Sequence, residues 1–183
     1  MKILGTPISG LMLIEATPQV DLRGAFNRLY CEKELNNLIG ERSIVQINHS
    51  RTEKVGAVRG LHFQRAPHAE MKLIRCLKGC VWDVTVDLRA NSPTFLKWFA
   101  QELRPANGLM LIIPEGFAHG FQVMEPDSEL LYLHTEFYEP KSEGGLRYNE
   151  PKVNIGWPLP ISELSKRDAN LTFIDSDFQG LCT

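Results

Sequence analysis

Ala57-Val58-Arg59-Gly60-Leu61-His62-Phe63-Gln64 reads as a β-strand with an unusual load. Side chains alternate between the two faces of a strand. Leu61 and Phe63 therefore share one face, and Gly60, His62 and Gln64 share the other. The first face needs a core to cover it. The second carries an imidazole and an amide where a buried strand would place more apolar groups. A single histidine on a strand usually serves packing or solvent contact, so His62 acquires meaning only if other reactive side chains converge on it.

Further strands are expected on both sides of this one, at 11–15, 25–30 and 43–50 before it and at 71–76, 80–88, 95–103, 108–113, 119–124 and 129–136 after it. The run Cys80-Val-Trp-Asp-Val-Thr-Val-Asp-Leu88 alternates throughout. Turn signals separate the runs: Asn91-Ser92-Pro93, Arg104-Pro105-Ala106-Asn107, Pro114-Glu115-Gly116 and Glu125-Pro126-Asp127. Many short strands at regular spacing predict an all-β sandwich, jelly roll or barrel. Two short helices are expected, one over 32–39 stopped by Gly40 and one over 162–169 with Ser162 as N-cap. Residues 1–183 are expected to form one domain, with the N-terminal strands and an irregular C-terminal tail packed on it.

The composition is that of an ordinary globular protein: 43% hydrophobic and 23% charged residues, with a net charge of −2. That balance argues against nucleic acid as a partner. No apolar run reaches the ~18 residues of a membrane span, and Pro7 and Glu15 interrupt any leader-like apolar stretch. The four cysteines form no Cys-x-x-Cys pair and read as reduced, half-buried residues of a cytoplasmic protein.

Pro114-Glu115-Gly116-Phe117-Ala118-His119 has the Pro-x-Gly-x-x-His form of the second half of a cupin signature. In metal-binding cupins the first half supplies two histidines and a glutamate; here Gln64 stands where the second histidine would be. Two ligands are too few for a catalytic metal, which usually needs three, so no metal is expected. On the expected strand 71–76, Lys72 shares a face with Ile74 and Cys76. A lysine turned toward a barrel interior needs an anionic partner. A phosphorylated ligand, or an oxyanion formed in a reaction, would supply one.

Several motifs together resemble the dTDP-4-dehydrorhamnose 3,5-epimerase family. They are Arg59–Gln64, Lys72–Cys76, Val81–Arg89, Ser92–Phe95, Ile113–Phe121, Gln46-x-Asn48-His49-Ser50, Leu131-Tyr132, Phe137-Tyr138-x-Pro140-x-Ser142-Glu143-Gly144 and Leu164-Ser165-x-x-Asp168-Ala169. The resemblance implies a cupin-type jelly roll without metal or cofactor, typically a homodimer, acting on nucleotide-linked 4-keto-6-deoxyhexoses in deoxysugar biosynthesis. It implies His62 as base, Asp168 as its orienting partner, Lys72 as holder of the enolate oxygen and Tyr132 as the acid on the opposite face. Arg23, Gln46, Asn48, Arg59, His119, Glu143 and Arg167 carry over as binding positions, and Tyr138 as the residue that stacks on the nucleotide base. These assignments suit the chemistry: C3 and C5 both flank the C4 ketone, and neutral imidazole is an effective base near neutral pH. His49, His68 and His134 are left as structural or surface residues.

The chain departs from the family at Arg28, where Arg-Gly-x-Phe-x-Glu is usual, and at Ile47. Arginine offers donors only. Cytosine N3 accepts and thymine N3–H donates, so Arg28 leads to the expectation of a CDP-linked sugar, with the dTDP-linked sugar as the alternative. A metal-dependent cupin enzyme and a non-catalytic sugar-nucleotide-binding cupin are further alternatives. Whether C3 alone or both carbons are inverted stays open.

Overall fold

The computed structural model describes residues 1–183. In chain order the elements are β1 (Lys2–Gly5), β2 (Met12–Glu15), β3 (Gln19–Asp21), β4 (Gly24–Phe26), α1 (Glu32–Ile39), β5 (Gln46–Thr52), β6 (Val58–Gln64), β7 (Lys72–Lys78) and β8 (Val81–Asp87). They continue with β9 (Trp98–Leu103), a 3-10 turn (Pro105–Asn107), β10 (Leu109–Ile113), β11 (Phe117–Val123), β12 (Ser128–His134), β13 (Glu143–Gly145) and α2 (Lys166–Ala169). Two antiparallel sheets form the jelly-roll sandwich of a cupin, ordered β1-β2-β10-β7-β12-β5 and β13-β6-β11-β8-β9. The ribbon β3–β4 pairs with neither sheet.

Apolar side chains pack in three layers. Between the sheets, Leu13, Ile74, Cys76, Leu111 and Leu130 meet Val81, Leu103, Phe121 and Val123. Outside the first sheet, Leu35 and Ile39 of α1 cover Ile14, Leu73, Met110, Ile112 and Leu133. Outside the second, Leu146, Val153 and Phe178 of the tail cover Leu61, Phe63, Val84 and Val86. Both faces of the central strands are thus buried, which explains their near-continuous apolar runs. Leu61 and Phe63 do share the core face expected of them, and Lys72, Ile74 and Cys76 share the inward one, with Lys72 at its end.

Several boundaries differ from the sequence reading. Strands β1, β3 and β13 carry little apolar alternation; the first two are edge or ribbon segments, and β13 is a glycine pair beside the Phe63 ring. The run 25–30 shortens to Gly24–Phe26, and 95–103 begins only at Trp98 because Leu96 turns with φ +59°. Ser165, not Ser162, caps α2, accepting from Asp168 N at 3.0 Å. Ser162 instead donates to Val55 O at 2.7 Å.

One close contact places the site. Gly60 on β6 has φ +115°, and a Cβ there would lie 2.6 Å from Gly120 Cα on β11. A Cβ on Gly120 would in turn lie 2.6 Å from Arg59 O. The pair lets the two strands touch at an irregularity between His119 and Phe121, and sets His62 opposite His119. Gly120→Ala is therefore expected to lower stability by ~1–3 kcal/mol through overpacking. Gly5→Ala, with nothing within 4 Å of its Cβ, serves as the control. Urea denaturation checks both; equal midpoints for the two variants would refute the contact's importance.

Candidate active site

The largest cavity, of about 940 Å³, opens at one end of the sandwich between β5, β6, β7, β12 and the segment leading into α2. Its floor is a polar row. β12 lies between β5 and β7, with His134 opposite both Gln46 and Lys72, and Tyr132 opposite both Asn48 and Ile74. Alternation sends these side chains to the inner face of the sheet, where the apolar core gives way to the pocket.

His62 reaches the cavity from β6, and its Nε2 lies 2.7 Å from Asp168 Oδ1. Asp168 is buried; its other oxygen accepts from Gly60 N at 3.1 Å. Burial works against the Asp168 carboxylate. The His62 and Gly60 donors and the nearby Arg167 charge outweigh it and hold its pKa below the usual value. An ionised Asp168 accepts the Nε2 proton, which leaves the Nδ1 lone pair of His62 as the free base.

Lys72 lies at the pocket floor, 3.0 Å from Glu70 Oε1 and 3.3 Å from the His62 carbonyl. The anionic partner sought in a ligand is thus already present within the chain. Glu70 also takes His134 Nδ1 at 2.6 Å. Burial alone would push the Glu70 carboxyl up, but the His134 hydrogen bond and the Lys72 charge bring it below its usual range.

Tyr132 shares a hydrogen bond with Ser50 Oγ at 3.2 Å. Burial strongly raises its pKa, and Asp83 adds to the effect, while Ser50 and Arg59 oppose it. Arg59 donates to Thr52 Oγ1 at 2.8 Å. At the rim, Tyr138 donates to Glu143 at 3.0 Å and Arg167 donates to the other Glu143 oxygen at 2.8 Å. Gln46 accepts from Tyr138 N at 3.2 Å.

The cavity therefore brings together His62, Lys72, Tyr132, Asp168, Gln46, Asn48, Arg59, Tyr138, Glu143 and Arg167. It leaves out three expected residues. His119 is buried below Tyr132, edge-on to that ring, and its Nε2 lies 3.0 and 2.9 Å from the Asp83 oxygens. Arg23 lies on the free ribbon, paired with Asp21 at 2.6 Å. Arg28 lies in a separate small cleft with Met1, Thr17, Gln19, Phe26 and Glu34. There Arg28 pairs with Glu34, which also takes the N-terminal amine at 3.0 Å. The cytosine expectation thus loses its footing, because the donors of Arg28 are turned to a carboxylate of its own chain. Gln64 is also withdrawn from the pocket, bonding the main chain at His68, Phe137 and Glu139.

Glu70, His134, Ser50 and Thr52 line the site without having been anticipated. His134 could have been found, since alternation along β12 puts it on the same face as Tyr132.

Comparison with known proteins agrees with this geometry. The dTDP-4-dehydrorhamnose 3,5-epimerase family model matches residues 5–176. The chain belongs to that family. A dTDP-4-dehydrorhamnose 3,5-epimerase of Salmonella typhimurium is 41% identical over 177 residues, covering 96% of each chain. The crystal structure of such an enzyme from Elizabethkingia anophelis superposes with TM-score 0.91 at 40% identity, over 97% of this chain and 98% of that one. A Legionella pneumophila epimerase in complex with dTDP-4-keto-L-rhamnose gives TM-score 0.91 at 36% identity, over 100% and 98%. The activity is accordingly that of an isomerase, an epimerase of a nucleotide-linked deoxysugar. These relatives carry dTDP in their names, and none of them supports the CDP-linked expectation.

Tyr132 should keep its proton far above neutral pH, since burial disfavours the phenolate. Tyr132 should therefore contribute no phenolate absorbance below about pH 11, which lies above the ordinary tyrosine value. The ultraviolet titrations of wild type and Tyr132→Phe should coincide up to that point. An earlier difference between them would overturn the assignment.

Proposed function

We propose that the pocket inverts both C3 and C5 of a dTDP-linked 4-keto-6-deoxyhexose, as the names of the relatives say of those proteins. The observation that carries this reading is the His62–Asp168 pair sharing one cavity with Lys72 and Tyr132. His62 removes the proton from the carbon beside the ketone, and the electron pair moves onto O4. Asp168 holds the imidazole and stabilises its charged form. Lys72 has three N–H groups, two of them committed to Glu70 and the His62 carbonyl. The third donates to O4 as that oxygen becomes negative. Tyr132 then returns a proton to the opposite face of the carbon. Its phenolate is costly, and Arg59 reduces that cost. His62 then releases its proton to solvent and Tyr132 takes one up from it, and repeating the cycle at the second carbon completes the reaction. Gln46, Asn48, Arg59, Glu143 and Arg167 bind the ligand, and Tyr138 at the rim stacks on the base.

Turnover in D₂O should place deuterium at C3 and C5, read by mass and NMR. Absence of label ends the epimerase reading; label at C3 alone makes the enzyme a 3-epimerase. His62→Asn should lower kcat by ~10²–10⁴-fold, with the fold retained by circular dichroism.

We infer further that the working unit is a homodimer. The free ribbon exposes Val20, Leu22 and Phe26 at 73%, 108% and 67%, beside Arg23. An apolar ribbon without a sheet of its own is completed by a second copy, and Arg23 then serves the partner's pocket. Arg23→Ala and His62→Asn subunits should each be impaired alone. Refolded together, they should recover activity, because one site of the mixed dimer has both residues. Failure to recover would put Arg23 outside the partner's site.

A further inference from the structure

A second histidine–carboxylate pair lines the cavity, on the wall opposite the His62 strand in chain order and sheet. Glu70 and His134 are both about nine-tenths buried, with side-chain exposures of 9% each. Four side chains join through them in an unbroken line. Lys72 Nζ lies 3.0 Å from Glu70 Oε1, Glu70 Oε2 lies 2.6 Å from His134 Nδ1, and His134 Nε2 lies 3.3 Å from Asn48 Nδ2. The mechanism above uses the two ends of this line and neither of its middle members.

The chemistry of the groups fixes the direction of every bond. An ionised carboxylate only accepts. Lys72 must therefore donate to one Glu70 oxygen, and His134 must donate to the other through Nδ1–H. In a neutral imidazole the second nitrogen then carries a lone pair. Nε2 accordingly accepts, and Asn48 must donate to it from its amide nitrogen. The Asn48 carbonyl oxygen is left as the acceptor that this residue brings to the cavity. A phosphate oxygen has no proton to give such an acceptor, whereas a hydroxyl does. A 4-keto-6-deoxyhexose carries two ring hydroxyls, on C2 and C3.

We propose that Glu70 and His134 are positioning residues that fix Lys72 at one end and the amide of Asn48 at the other, so that Asn48 accepts from a ring hydroxyl of the sugar rather than donating to a phosphate. This rests on the epimerase reading of the same pocket. Replacing Glu70 by glutamine puts an N–H₂ where one acceptor was. The amide oxygen stays on Lys72, the new donor faces Nδ1, and His134 shifts its proton to Nε2. Asn48 must then turn over and present its N–H₂ to the sugar.

The first test needs no substrate. Ring ¹⁵N chemical shifts of histidine-labelled protein at about pH 8, above the ordinary histidine range, should assign His134 as the Nδ1–H tautomer in wild type. In Glu70→Gln it should be the Nε2–H tautomer. An Nε2–H tautomer or an imidazolium in the wild type overturns the proposal. The second test is kinetic. His134→Ala and Asn48→Ala should each raise KM about tenfold, the worth of one hydrogen bond. The double variant should be no worse than Asn48→Ala alone, because the orienting bond is already gone. Additive losses, or an unchanged KM in His134→Ala, would leave the pair a stabilising contact only and sink the idea. If His134→Ala does not fold, the Glu70→Gln tautomer still decides it. Deuterium wash-in by the wild type is independent of both tests, so a failure of the epimerase reading is distinguishable from a failure of this one.

Discussion

A carboxylate taken out of water must be given donors or it will not stay ionised. The interior around the cavity meets that demand three times in the same way, with a histidine. Asp168 is held by His62 at 2.7 Å, Glu70 by His134 at 2.6 Å and Asp83 by His119 at 2.9 Å. The rest of the site follows from these pairs. They decide which imidazole nitrogen is free, where Lys72 can point and what lies beneath Tyr132. Two of the pairs join neighbouring strands of one sheet, His119 on β11 with Asp83 on β8 and His134 on β12 with Glu70 at the entry to β7, while His62–Asp168 ties β6 to α2. The Gly60–Gly120 contact contributes at the same level, since it lets β6 and β11 approach closely enough for the His62 strand to face the cavity.

The three pairs differ in access to solvent, and that difference separates their roles. His62 is 29% exposed while its carboxylate is buried, so its free nitrogen can meet a ligand. His134 is nine-tenths buried but borders the cavity, and its second nitrogen is engaged by Asn48. His119 is buried with Asp83, whose carboxyl is pushed up by its complete burial against the opposing pull of the imidazole. That pair lies outside the cavity lining, and its imidazole meets the Tyr132 ring in an edge contact. In the proposed function the first pair exchanges a proton with the substrate and the second orients a binding group, while the third packs against Tyr132.

How much of this was legible in the sequence depends on the range of the interaction. The all-β class, α1 and the core face of β6 were legible because period and turn residues are local properties. The convergence of His62 with Lys72, Tyr132 and Asp168 was legible only through family motifs, since Asp168 alone reads as an aspartate on a helix surface. Glu70 and His134 were not legible. Glu70 precedes β7 without any pattern of its own, and its bond to His134 reaches a strand more than sixty residues later. His119 misled for the opposite reason. Its motif was correctly placed on a strand entering the sandwich, but Asp83, buried beneath the same spot, withdrew it from the cavity. Arg28 misled because its nearest acceptor, Glu34, lies on the neighbouring helix, where no sequence pattern links the two.

The presence of Glu70 changes how the Lys72 cation should be understood. A free ammonium in the pocket would bind any anion, including the diphosphate, and would do so as strongly before the reaction as during it. Uniform binding of that kind does not speed the chemical step. With Glu70 at 3.0 Å the ammonium's charge is offset and its direction is set. What remains is one N–H, which on the proposed mechanism meets the ketone oxygen as negative charge develops there. On the proposed mechanism, the carboxylate beside Lys72 would favour the transition state over the ground state. The same carboxylate is linked through His134 to the Asn48 amide, proposed above as the group that receives the sugar. On that proposal, orientation of the sugar and stabilisation of its enolate would be coupled through a single buried side chain.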